Sequence, residues 1–217
     1  MRLIYCYDAY CGWCYGFSDV IKQLNETVGE KIPIEVLSGG MLLPEYPMPV
    51  QMISEVILDN YRRVEEYTGI TFGEDFLWHA RHADQSDWFP NSLPPAIALC
   101  IIKEKHPEKS VDFALDIEYG LNYEGRDLTD REAYRHLLPK YDFTPEEFFE
   151  KMEDPEYASR ARNEFDICRQ LQVTSFPALL LQANESKFFL LAKGYTPYQT
   201  IIDRLDNIIN EIRAQLN

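Results

Sequence analysis

Residues 11–14 read Cys-Gly-Trp-Cys, and their setting limits the folds that can carry them. Upstream lies the apolar run Leu3-Ile4-Tyr5-Cys6-Tyr7, with the residue types of a buried strand. Downstream, Tyr15-Gly16-Phe17-Ser18-Asp19-Val20-Ile21 reads as the opening of a helix. The cysteine pair therefore sits where a strand hands over to a helix. First-turn N–H groups lack intrahelical acceptors and carry a partial positive charge. A thiolate there is stabilised, and its pKa falls below the free value of about 8.5. Two intervening residues let the second sulfur reach the first, so the pair can cycle between dithiol and disulfide or resolve a mixed disulfide.

A C-x-x-C is also half of a zinc site. The sequence holds no second C-x-x-C and no H-x-x-x-H, and Cys6 lies inside the strand as a buried thiol. Redox chemistry with no metal is the expectation, the only redox group being the Cys11–Cys14 disulfide. A non-catalytic zinc-binding module is the alternative of a different class.

Composition removes further classes. A formal net charge of −15 argues against nucleic acid and anionic membrane surfaces as partners. No apolar run approaches the ~18 residues of a membrane span. Met1-Arg2 leads straight into the first strand, so no signal peptide is expected and the cytoplasm is the expected location. Five cysteines with one working pair fit a reducing compartment. Cys100 and Cys168 fall in apolar helical patterns and read as core.

Along the chain, the first helix is expected to run to about Val28. Residues 31–37 alternate as a second strand, parallel to the first with the helix as crossover. Ser38-Gly39-Gly40-Met41 reads as a turn, with a wall close to the sulfurs as its functional reading. Residues 50–67 place Ile53, Val56, Ile57, Tyr61 and Val64 on one side of a helix. Residues 71–95 are aromatic and read as loop, with His79, His82 and Asp84 as solvated groups rather than metal ligands. Residues 92–154 are mainly helical. Ser92 is expected to cap a helix over 94–105, and Thr129-Asp130-Arg131-Glu132 and Thr144-Pro145-Glu146-Glu147 are capping boxes. Asp154-Pro155 starts another helix. Val173-Thr174-Ser175-Phe176-Pro177 leads into a strand over 178–181, with 187–192 as its hairpin partner and a turn at Gly194. Thr196-Pro197-Tyr198-Gln199 is a third capping box. The last helix presents Tyr198, Ile201, Ile202, Leu205, Ile208, Ile209, Ile212 and Leu216 on the face that should cover the sheet.

The order strand, C-x-x-C helix, strand, helical insertion, proline-led strand, strand, helix resembles the DsbA-like branch of the thioredoxin superfamily. That resemblance implies an α/β thioredoxin-like fold with a helical insertion. Residues 1–45 and 172–217 would form the split thioredoxin-like domain, and 46–171 the insertion domain. The stretch Asp8-Ala9-Tyr10-Cys11-Gly12-Trp13-Cys14-Tyr15-Gly16-Phe17, with Ser38-Gly39-Gly40-Met41 and Asn91-Ser92-Leu93-Pro94, is similar to the leaderless, FrnE-like group of predicted disulfide isomerases.

The resemblance implies roles. Cys11 would be the nucleophile, exposed at the helix end, and Cys14 the covered resolving thiol. Pro177 would be a cis-proline facing the disulfide, with Phe176 offering its backbone to an extended substrate. Trp13, Phe176 and Trp78 or Trp88 would form an apolar rim. Asp8 is either a proton relay to Cys14 or a strand-end polar residue. Gly12-Trp13 stands where the strong periplasmic oxidant has Pro-His, so a more reducing pair is expected than its roughly −120 mV. The expected activity is oxidoreduction or isomerisation of protein disulfides, with protein thiols and glutathione as partners. The related kappa-class glutathione transferases and chromene-carboxylate isomerases put serine at the first cysteine. This chain keeps both thiols, and glutathione-dependent isomerase or transferase chemistry stands as the alternative.

Overall fold

The structure, a computed structural model, describes residues 1–216. Asn217 and the side chains of Gln215 and Leu216 lie outside the described residues, and with them the Leu216 position of the final helix face.

The described residues form a four-stranded sheet around β1 (Arg2–Tyr7). β1 pairs in parallel with β2 (Ile34–Ser38), with Tyr5 opposite Val36. On its other side it pairs antiparallel with β3 (Ala178–Gln182), with Tyr5 opposite Leu179. β4 (Phe188–Lys193) closes the order β2-β1-β3-β4. The parallel pair needs a crossover; α1 (Gly12–Gly16) and α2 (Ser18–Val28) supply it. Strand alternation divides β1 between two cores. Leu3, Tyr5 and Tyr7 enter the main core, while Ile4 and Cys6 join Leu37, Cys168, Ala178 and Leu180 in a smaller one. β2 begins at Ile34 rather than Lys31, because Pro33 has no N–H to give a ladder.

Between β2 and β3 lie α3 (Ser54–Thr68), α4 (Glu74–Arg81), α5 (Leu93–Lys105), α6 (Ser110–Asn122), α7 (Pro145–Glu153) and α8 (Pro155–Gln170). Every residue of 95–102 on α5 is buried, which makes it the central helix of this layer. Lys103 of α5 and Glu164 of α8 meet at 2.5 Å. Lys103 also donates to the Val36 carbonyl at 2.6 Å, and Ser38 N–H donates to Glu164 at 2.9 Å. Removing Lys103 from this partly buried pair would strand the buried Glu164 charge. The helical layer thereby anchors the end of β2, from which the Gly39-Gly40 turn departs.

Some sequence expectations are corrected. α4 lies inside the segment read as loop; Phe76, Leu77 and Ala80 are its buried side, and Glu74, Asp75 and Arg81 suit its dipole. The aromatic density there hid an eight-residue helix. Thr144 accepts from Glu147 N–H as a capping box should. At 129–132 Asp130, not Thr129, accepts from Glu132 N–H, and the segment is a 3-10 turn over Arg131–Tyr134. Thr196 donates to the Gly194 carbonyl instead of capping α9 (Tyr198–Leu216). α9 packs beside β4 and α2, with Ile201 and Leu205 fully in the core.

Candidate active site

Cys11 is the extended residue before α1, with φ −88° and ψ 105°. Its carbonyl accepts the N–H groups of Cys14 and Tyr15, which closes the first turn of α1 over the Cys11 backbone. Cys14 is fully buried. Cys11 is not exposed as expected: it is 8% accessible, and its Sγ donates to the Phe176 carbonyl at 3.4 Å. The Phe176–Pro177 peptide is cis, and Pro177 is buried. The Sγ–carbonyl contact belongs to the protonated thiol. On ionisation the carbonyl repels the sulfur, and the donors of α1 take over.

Those donors separate the two thiols. Cys11 is pulled below the ordinary thiol range by the hydrogen bond from the Cys14 side chain, aided by Cys14 and Trp13 N–H and opposed by burial and the Asp8 charge. Cys14 is pushed up by burial, by its bond to Cys11 and by charge on Cys11 and Glu118. One sulfur is poised to ionise and the other holds its proton.

Asp8 follows the last residue of β1 and is 2% exposed. Its carboxylate accepts Tyr10 N–H at 3.0 Å, Met41 N–H at 2.7 Å and the Ser92 hydroxyl at 3.0 Å. Ser92 also accepts Leu42 N–H at 3.0 Å. Burial raises the Asp8 pKa, and these donors partly offset it. The three similar stretches of sequence, around Cys11, Gly39 and Ser92, thus converge on one carboxylate. Ser92 is therefore not the side-chain cap of α5; Asn91 accepts Leu93 N–H at 2.9 Å in that role. The glycine turn is indeed a wall. A β-carbon on Gly39 would sit 2.1 Å from the Phe176 ring, and Gly40 has φ +70° beneath the Phe165 ring.

A second buried carboxylate was not legible in sequence. Glu118 on α6 is fully buried; one oxygen accepts from Ser18 Oγ at 3.1 Å, and the other has no partner. The Tyr5 hydroxyl is likewise buried without a partner. Burial lifts the Glu118 pKa well above the carboxylate range, against the Ser18 bond, with the Cys11 and Asp8 charges adding to the rise. Its charge in turn raises Cys14 and Tyr5. Only an acidic residue at an otherwise apolar helix position signals it, and such residues usually face water.

Beside Cys11 opens a cavity of about 340 Å³. Tyr10, Gly12, Trp13 and Met41 line it from the site, and α3, α4 and Trp88 close it. Trp13 and Trp88 belong to it. Trp78 does not: it is 41% exposed and stacks on His82. Phe176 is partly buried on the other side of Cys11, against the glycine turn. His79 stacks on Trp88 at 3.7 Å and bonds Ser86.

The sheet order, the C-x-x-C at the start of the first crossover, the helical layer and the proline-led β3 make up a DsbA-like, thioredoxin-type fold. Solved structures agree. A candidate protein disulfide isomerase from Nitrosomonas europaea superposes with TM-score 0.84 at 20% identity, over 97% of this chain and 98% of its own. The cytosolic disulfide reductase DsbM from Pseudomonas aeruginosa gives TM-score 0.76 at 22% identity over 99% and 100%, and has also been solved with glutathione. A 2-hydroxychromene-2-carboxylate isomerase gives 0.62 at 11% identity over the full length of both chains. No family model and no curated protein sequence matches the chain.

Proposed function

We propose that the chain is a thiol–disulfide oxidoreductase that acts on protein disulfides through Cys11 and Cys14. The opposed ionisation of the two thiols carries this reading: an attacking sulfur needs thiolate character, and a resolving one must wait. Cys11 thiolate attacks a substrate disulfide, its S–S bond breaks, and one substrate thiolate leaves and takes a proton. Cys14 then loses its proton and attacks the Cys11 sulfur. The Cys11–Cys14 bond forms, and the second substrate thiolate leaves. Two electrons pass from the pair to the substrate; oxidation of a substrate dithiol is the reverse.

The Cys14 proton needs an acceptor. Asp8 was one reading from sequence, but its carboxylate is held by three donors, and we assign it the positioning of the site. Glu118, whose charge acts on Cys14, is assigned the relay role in the fraction of molecules in which it has released its own proton. The Phe176 backbone beside Cys11 would receive an extended substrate, with Pro177 completing that wall. Protein thiols are the partners. The cytoplasm is the proposed location, in keeping with the cytosolic DsbM of the same fold. Among the described residues no helix is long and apolar enough to cross a membrane.

The trapping experiment tests this. Cys14→Ser should accumulate reductant-sensitive adducts with substrate proteins through Cys11, and Cys11→Ser should give none and abolish insulin-disulfide reduction. Absence of adducts together with turnover of a glutathione-dependent small substrate would transfer the assignment to isomerase or transferase chemistry. One observation favours that second reading: the cavity at Cys11, in a fold shared with the chromene-carboxylate isomerase.

A further inference from the structure

The cavity has a chemistry of its own. None of its lining side chains is Asp, Glu, Lys, Arg or His. Its polar side-chain lining includes Asn60 and Asn122, whose amide groups already donate to the Val56 and Glu118 carbonyls. The rest includes Ile53, Ile57, Val64, Phe72 and Phe76. Charged groups entering such a space lose water and meet no opposite charge, the remaining polar atoms being a few neutral ones such as the Tyr10 hydroxyl. Glutathione, with two carboxylates and an ammonium, would therefore have to keep those groups outside it. A polypeptide main chain is excluded for a related reason, since each residue brings an N–H and a carbonyl that need partners. An apolar cavity of about 150 Å³ takes benzene; at about 340 Å³ this one has room for two rings and lies within the size range of small-ligand sites.

Access decides its use. Cys11 is nearly covered and is itself part of the lining, whereas Met41 and Val56, 45% and 61% exposed, stand at the edge. We infer that this cavity is a binding site for the apolar body of small, uncharged disulfides bearing aromatic or branched aliphatic groups, which it presents to Cys11. The inference rests on the oxidoreductase reading for its chemistry. With dibenzyl disulfide, Cys11 thiolate forms a bond to one substrate sulfur, the S–S bond breaks, and phenylmethanethiolate leaves and is protonated. Cys14 closes the protein disulfide and releases the second phenylmethanethiol. A dithiol reductant in the assay returns the pair to its reduced form.

Binding and turnover are measured separately. Biphenyl, which has no sulfur, should bind one-to-one in the Cys11→Ser/Cys14→Ser protein and shift the emission of Trp13 and Trp88. Dibenzyl disulfide should be reduced with a kcat/KM roughly 10- to 100-fold above that of 2-hydroxyethyl disulfide, after division by their uncatalysed rates with dithiothreitol. Ile57→Trp and, separately, Ile53→Trp should fill the space and collapse both the biphenyl signal and that ratio, with melting curves confirming that each variant folds. Reduction of both disulfides at a ratio equal to the uncatalysed one, without biphenyl binding, overturns the inference and leaves the oxidoreductase intact. A preference confined to peptide disulfides with Phe beside the cysteine also overturns it, making a polypeptide side chain the occupant. Biphenyl binding without reduction of any disulfide removes the oxidoreductase reading, and this inference with it.

Discussion

β1 and its neighbours carry two groups of buried thiols, on opposite faces of one sheet. Cys11 and Cys14 lie at the end of β1 in the main core. Cys6 and Cys168 lie in the smaller core against α8. All are free, and all are 8% exposed or less. Burial therefore does not separate them; their donors do. Cys11 faces the N–H groups of Trp13 and Cys14 and the Cys14 thiol, and its pKa drops. Cys168 has the Cys6 sulfur, an apolar shell and the Ser38 carbonyl, an acceptor, at 3.5 Å. Its thiol is pushed far up, first by Cys6 and then by burial. A thiol gains thiolate character where hydrogen-bond donors meet it, and stays inert where only apolar groups and acceptors do.

Alkylation breaks or sharpens this contrast most directly. Reduced Cys11 should react with iodoacetamide at least about 100-fold faster than Cys100 or Cys168, read by mass mapping after a short pulse. Because the pKa of Cys11 is lowered, its reactivity should persist below the free-thiol midpoint of about 8.5 as pH falls. Cys14→Ala removes the largest stabilising donor, so the midpoint should move up. An unmoved midpoint would assign the shift to the backbone alone.

The next largest effect concerns Glu118. Glu118→Gln should slow resolution of the mixed disulfide on the order of 100-fold while leaving the first attack rate nearly intact, in single-turnover kinetics. Its stability has the opposite sign. Folding raises the Glu118 pKa, so the folded chain keeps a proton that the unfolded chain releases. Stability is then lost as pH rises from the unfolded carboxyl value of about 4.3 through the raised folded one. Glu118→Gln should flatten that slope and melt higher than the parent at neutral pH. An equal slowing of attack and resolution would make Glu118 a packing residue.

Ser92→Ala removes one donor from buried Asp8 and an acceptor from Leu42 N–H. It should cost about 1–3 kcal/mol in denaturant unfolding. The Cys11 alkylation midpoint should shift with it, because Asp8 lies within electrostatic reach of that sulfur. Cys168→Ala should do least, leaving disulfide reduction within about twofold and stability within roughly 1–2 kcal/mol. A large loss of activity there would make the second pair a working redox site.

Short-range information placed the Cys11–Cys14 pair at a strand–helix junction. The strand–helix junction, the crossover to a parallel second strand and the proline-led hairpin could be read because alternation, helical period and turn residues act over a few positions. Cys100 and Cys168 were read as core for the same reason. α4 was missed where dense aromatics masked its period. In sequence, the Ser92 hydroxyl looks the same whether it caps its own helix or meets a distant partner. The rest was decided between residues far apart in the chain. Ser92 reaches Asp8 across 84 positions, Ser18 reaches Glu118 across 100, and Cys11 meets the Phe176 carbonyl across 165. The sequence alone places the Cys11 thiol at a helix start. Its cover, its cavity and the buried carboxylate behind Cys14 exist only once α3, α4 and α6 pack on the sheet, because desolvation and enclosure belong to the assembled core and to no single segment.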